Sequence, residues 1–250
     1  MIAKRIGVGL FLGAVLFSPY STFAGAPLNC DFRSQLDTLR AIHDNSLDYL
    51  QEVKTELVSR KSLLANIANC SIEEALSLKS RLQSLPLKEE RLKIVQDQLA
   101  GEIDRVVSYY ENQKLKIQDL GFRGTQDFSR SLKDWRAANY SPLTDRVGTF
   151  ILWNDNQKLF QTTQNRLAQI GQTVRIFKLV DNEEIQDLFQ AAQNNFREAQ
   201  EANQKVRESF ERTGSFENSL TLMKSSLESL AKTYQMFFDL SELVRKILPY

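Results

Sequence analysis

Residues 215–248 read SFENSLTLMKSSLESLAKTYQMFFDLSELVRKIL, and this stretch decides the fold class. Phe216, Leu220, Met223, Leu227, Leu230, Tyr234 and Phe237 follow one another in steps of four and three. That is the spacing of one face of an α-helix, with 3.6 residues per turn. Val244 and Leu248 extend the stripe beyond Ser241. Strand-like alternation with a period of two is absent from it.

The same test, moved towards the N-terminus, gives the same answer. Ile185, Phe189, Ala192, Phe196, Ala199, Asn203, Val206 and Phe210 form a stripe with one polar member. Leu143, Val147, Phe150 and Trp153 begin another, continued by Phe160, Leu167, Ile170, Val174 and Phe177. Leu92, Val95, Leu99, Ile103, Val106 and Tyr110 form a fourth, and Phe32 to Ile67 a fifth. Long helices are predicted over 31–68, 87–120, 142–178, 182–212 and 215–248, with short ones over 72–84 and 126–138. Ten Gly and five Pro in 250 residues fall below the usual roughly 7% and 5%, so few positions break a helix. The expected fold is all-α: an elongated antiparallel helical bundle without a sheet, its faces suited to helix–helix contacts of the coiled-coil kind.

Local chemistry marks the ends. Ser71 with Glu74, and Asp181 with Glu184, have capping-box spacing. Ser141-Pro142 suggests a cap before a first-turn proline. Leu120-Gly121 suggests a glycine stop in the left-handed conformation. Residues 121–141 are the candidate hinge within a domain predicted over 25–250.

The first 24 residues read as a leader. Lys4 and Arg5 precede an apolar run from Ile6 to Phe17, and small residues follow Pro19. Cleavage after Ala24 is expected. The alternative after Ala26 would place the rigid ring of Pro27 at the first mature position. The mature product is expected to be exported, periplasmic or extracellular, with no transmembrane span.

Composition removes several functions. Thirty-two Lys+Arg stand against 31 Asp+Glu, so no basic excess favours nucleic acid. One His and two Cys cannot supply four Cys/His ligands to zinc, and no metal or cofactor is expected. The di-iron signature Glu-x-x-His fails as well, since residue 40 is Arg40. No catalytic residue is assigned, and the chain is not expected to be an enzyme.

Four features remain as candidates. Cys30 and Cys70 are the disulfide candidate, as two cysteines in a small exported chain commonly pair. On one straight helix over 31–68 they would stand about 55–60 Å apart, too far for a bond that needs Cα atoms within about 7 Å. Pairing within the chain therefore requires a break, most naturally at His43-Asp44-Asn45-Ser46. That version is favoured slightly; pairing between chains and free thiols stay open. His43, the single imidazole, is the possible pH-sensitive group. Phe150-Ile151-Leu152-Trp153 is too apolar for one helix face, and Trp135, with Phe128 and Leu132, is expected to cover it. Uncovered, Trp135 and 150–153 would form a partner patch. Asn203 lies in core phase. The expected function is structural or partner-binding, through helix faces, with a protein partner or self-association. A small ligand in an aromatic pocket is the alternative, and a membrane-active helical protein the third reading.

Overall fold

The computed structural model describes residues 30, 32–44, 49–177, 179–211 and 218–247. The leader, both cleavage positions and the Gly214-Ser215 boundary lie outside them. The described residues form helices and turns with no strand: α1 (Arg33–Asp44), α2 (Tyr49–Gln83), α3 (Glu90–Lys116), α4 (Phe122–Trp135), α5 (Ser141–Ile176), α6 (Glu183–Glu211) and α7 (Ser219–Ile247). Short 3-10 turns at Ile117–Asp119 and Leu179–Asp181 and a π turn at Arg136–Tyr140 join them.

Five boundaries differ from expectation. The single helix over 31–68 is two helices, since α1 ends at Asp44 and α2 begins at Tyr49. The chain doubles back: Phe32, Leu39 and Ile42 of the N-terminal arm pack against Leu63 and Ile67 of α2. Secondly, α2 does not stop near residue 70. No Gly or Pro interrupts it before Pro86, and Ala68, Ala75 and Leu82 continue its buried face. Ser71 is therefore not a cap; its hydroxyl donates to Ile67 O at 3.0 Å, the back-bond of a mid-helix serine.

Thirdly, the short helix and its long successor run together. Ser141 N–H donates to Arg136 O, five residues back, which makes one π turn. Pro142 lacks an N–H, and its ring would crowd a regular helix. The extra residue of the π turn lets the helix continue through it. The fourth difference is Gly121, with φ −82° and ψ 179°, an extended conformation open to any residue. It opens α4, where Thr125 N–H donates to its carbonyl, rather than closing α3. At the start of α6 the cap is Asn182, whose Oδ1 accepts from Ile185 N–H at 3.0 Å. The capping spacing assigned to Asp181 is one residue out of register.

The chain divides into two compact units. Unit 1 is Met1–Pro86 with Gln96–Thr144, and unit 2 is Leu87–Val95 with Asp145–Tyr250. In unit 1 the buried residues include Leu64 and Leu82 of α2, Leu99, Ile103, Val106 and Tyr110 of α3, and Leu132 of α4. In unit 2, α6 and α7 approach closely because small residues face each other. Ala192, Ala199 and Ala202 on α6 are buried, as are Ser226, Ser229 and Thr233 on α7. Ser226 Oγ reaches across to donate to Ala199 O at 2.8 Å. Phe160 and Leu167 of α5 close this core with Phe196, Leu230 and Phe237. The ring of Phe189 lies against Gly171, where an added Cβ would stand 3.0 Å from Cζ, so glycine permits that contact. Asn203 is half-buried and bonded to Gln157 Nε2 at 3.4 Å, between the two positions its phase allowed.

Candidate functional site

α2 presents three faces, and their spacing follows from 100° per residue. Leu63, Ile67 and Cys70 face α1. Leu64, Ala68, Ser71, Ala75 and Leu82 are buried on the next face. The third carries Val58, Ser62, Ala65, Asn69, Ile72 and Leu76, in steps of four, three, four, three and four. Val58 and Leu76 lie five turns apart on the same line, 61% and 48% exposed. Their exposure matters because they end a line of residues with coiled-coil spacing, whose middle members Ala65, Asn69 and Ile72 are half-buried. The sequence contained this spacing, but the stronger core stripe of the same helix masked it.

Beside the α1-facing side is a cleft of mixed lining. Cys30 and Cys70 are joined by a disulfide within the chain, with Cα atoms 6.0 Å apart. The break between α1 and α2 brings them together. Cys30 and Phe32 form one wall of the cleft, with Ile67, Cys70, Ser71 and Glu74 of α2 opposite. Tyr110, Leu132 and Arg136 complete a cavity of about 50 Å³. Arg136 Nη2 donates to both carboxylate oxygens of Glu74, at 3.0 and 2.8 Å, and Nη1 to Ser71 Oγ at 3.5 Å. Its guanidinium lies 4.8 Å from the centre of the Tyr140 ring. Arg136 opens the π turn and Tyr140 closes it, so the inserted residue sets both side chains. Glu74 is thus an inter-helix partner and not the capping-box acid that its spacing from Ser71 suggested.

Trp135 precedes Arg136 and stacks on Tyr109, with ring centres 3.5 Å apart and planes 7° from parallel. Tyr110 meets Trp135 edge to face at 5.5 Å. Trp135 thus has ring partners on α3. Phe150, Ile151 and Trp153 are buried and Leu152 half-buried in unit 2. There the ring of Phe210 stands edge-on to Phe150 at 5.1 Å and to Trp153 at 5.9 Å. His43 ends in α1, but its side chain lies outside the described residues. Among the described residues no group of three or more His, Cys, Asp or Glu side chains could hold a metal ion.

The phenols of unit 1 share one electrostatic condition. Burial raises the Tyr109, Tyr110 and Tyr140 hydroxyls above their ordinary value of 10.0. For Tyr110 the Arg136 charge opposes this, and for Tyr140 the Glu74 carboxylate adds to it. Burial pulls the Arg136 guanidinium down, but Glu74 outweighs it and the group stays charged. In the unfolded chain phenols lose their protons near 10.0, while the folded chain still holds them. The stability they contribute is whole below that value and falls as pH rises through it. Unit 1 is thus expected to unfold at lower urea at about pH 11 than at about pH 8, read by Trp135 fluorescence. Among the described residues no group meets hydrogen-bond geometry with the buried Tyr140 hydroxyl. Tyr140→Phe should therefore leave stability near neutral pH unchanged or improved, and reduce the alkaline loss.

No protein-family model, curated protein or solved structure matches this chain.

Proposed function

We propose that the chain is an exported, non-catalytic helical-bundle protein that binds a helical protein partner through the outward face of α2. The line from Val58 to Leu76, exposed at Val58, Ser62 and Leu76 and half-buried at Ala65, Asn69 and Ile72, carries this reading. Its steps of three and four are those by which one helix receives the side chains of another. The disulfide supports export, since such bonds persist in oxidising compartments. The alternative, a small ligand among aromatics, is less well supported. The cleft of about 50 Å³ is small beside the roughly 300 Å³ at which ligand sites begin. The membrane-active reading has less behind it still: no described helix is long and apolar enough to cross a membrane.

The test is a photo-crosslinking residue placed at Ser62 in the producing cell, with one at Ile67 as control. Ser62 is exposed on that line and Ile67 faces α1. Adducts at Ser62, absent at Ile67 and lost in Val58→Lys/Leu76→Lys, are the expected result. No adduct at Ser62 would sink the reading, and so would a specific turnover activity that vanishes when His43 is changed.

A further inference from the structure

The N-terminal arm is held to unit 1 by two distinguishable means. One is covalent, the Cys30–Cys70 bond. The other is the apolar cluster of Phe32, Leu39 and Ile42 on Leu63 and Ile67. α1 itself has only 12 residues, at the lower edge of the roughly 12–15 at which an isolated helix becomes even marginal in water. Polar and charged side chains fill most of it: Arg33, Ser34, Gln35, Asp37, Thr38 and Arg40. The rest of unit 1 also buries Leu64 and Leu82 of α2, Leu99, Ile103 and Tyr110 of α3, and Leu132 of α4.

The arm also closes the cleft. Cys30 and Phe32 form one wall of the cavity of about 50 Å³, whose other walls carry Ser71, Glu74, Tyr110 and Arg136. Both cysteines are half-buried and line this opening, which gives an attacking thiolate a route to sulfur. The covalent tie, the weak helix and the cleft wall thus occupy one short segment.

We propose that residues 30–44 are a redox-released strap, freed from α2 when a dithiol reduces Cys30–Cys70. One thiolate of a dithiol protein of the thioredoxin type attacks a sulfur of the bond. The other cysteine leaves as thiolate and takes up a proton. The second thiol of the reductant then attacks the mixed disulfide, releasing the remaining cysteine. Two electrons and two protons pass from the dithiol, which ends as a disulfide, to Cys30 and Cys70. The freed arm loses its helix, uncovers Leu63 and Ile67, and opens the cavity into a groove floored by Ser71, Glu74, Tyr110 and Arg136. This surface differs from the Val58–Leu76 face, so strap release does not depend on what that face binds.

Amide hydrogen exchange of the full chain, before and after dithiothreitol, tests the strap. A mass gain of about 2 Da verifies reduction. Exchange over Arg33–Asp44 is expected to accelerate by at least about tenfold, with α3, α4 and unit 2 unchanged. Protection should return on reoxidation. Cys30→Ser/Cys70→Ser should match the reduced wild type, which supplies the measurement if that variant folds poorly. Three results would overturn the proposal: a bond that resists dithiothreitol in the native chain, α1 protection that survives verified reduction, or protection lost throughout unit 1. The last would make the bond a staple of the whole unit.

Discussion

Phe150→Ala is expected to cost unit 2 about 3–5 kcal/mol, the largest effect of any core truncation proposed. The Phe150 ring is fully buried, 5.1 Å from the centre of the Phe210 ring and 6.2 Å from Trp153. Truncation removes its transfer free energy and leaves a void against two rigid aromatic neighbours. Neither can collapse into the gap without leaving its own packing, so relaxation recovers little. Thr149 and Ile151 are buried on either side, which fixes the backbone as well. The chain's two tryptophans, Trp135 and Trp153, fall one in each unit and allow a clean reading. In a Trp135→Phe background, emission follows Trp153 alone, and its urea transition should move to markedly lower denaturant. Phe150→Leu should shift it less, because the retained side chain fills part of the void. A Phe150→Ala shift worth under about 1 kcal/mol would mean that this turn is not packed as described.

The second large effect concerns Glu56 and Arg60, one helical turn apart on α2. Their side chains are 6% and 4% exposed, so the pair is buried. Arg60 Nε donates to Glu56 Oε1 at 2.8 Å, Nη2 donates to the same oxygen, and the guanidinium lies 4.3 Å from the centre of the Phe122 ring. Among the described residues, the buried Arg60 Nη1 has no hydrogen-bond partner. Glu56→Ala leaves a buried guanidinium without its carboxylate, at an expected cost of about 3–5 kcal/mol. Replacing both residues, Glu56→Leu with Arg60→Met, should be near neutral or stabilising, since it removes both desolvation penalties. That opposition of sign is the diagnostic, and the two sites are close enough to couple strongly. Urea unfolding followed by Trp135 emission in a Trp153→Phe background measures it. A single variant costing under about 1 kcal/mol would place the pair in water, with the strength of a surface ion pair.

The sequence determined a great deal of this protein unaided. Steps of three and four from Leu220 to Phe237, and from Ile185 to Phe210, required helices, and α7 and α6 lie there. Helix class depends on periodicity along the chain, so it is legible without knowing what each face touches. The disulfide was a choice among three states, narrowed by one geometric argument: pairing within the chain demanded a break near His43. The break at the end of α1 and the bond itself agree with that.

Tertiary structure decided the rest, and in each case through contacts between residues distant in sequence. Ser71 and Glu74 have the local pattern of a cap. The unbroken buried face of α2 keeps them inside one helix, and Arg136, 62 residues beyond Glu74, claims the carboxylate. Pro142 looks like the start of a helix, but a π turn absorbs its missing donor and carries the chain onward. Trp135 finds a parallel ring in Tyr109, and Phe210 packs against Phe150 and Trp153, pairings that no periodicity names. Periodicity states that a face must be buried, but it carries no term for the partner. Partner choice depends on shape, ring orientation and charge that meet only when the helices assemble. For the same reason periodicity assigns each helix of this protein its class, while the cleft beside Cys30–Cys70 exists only once α1 has folded back.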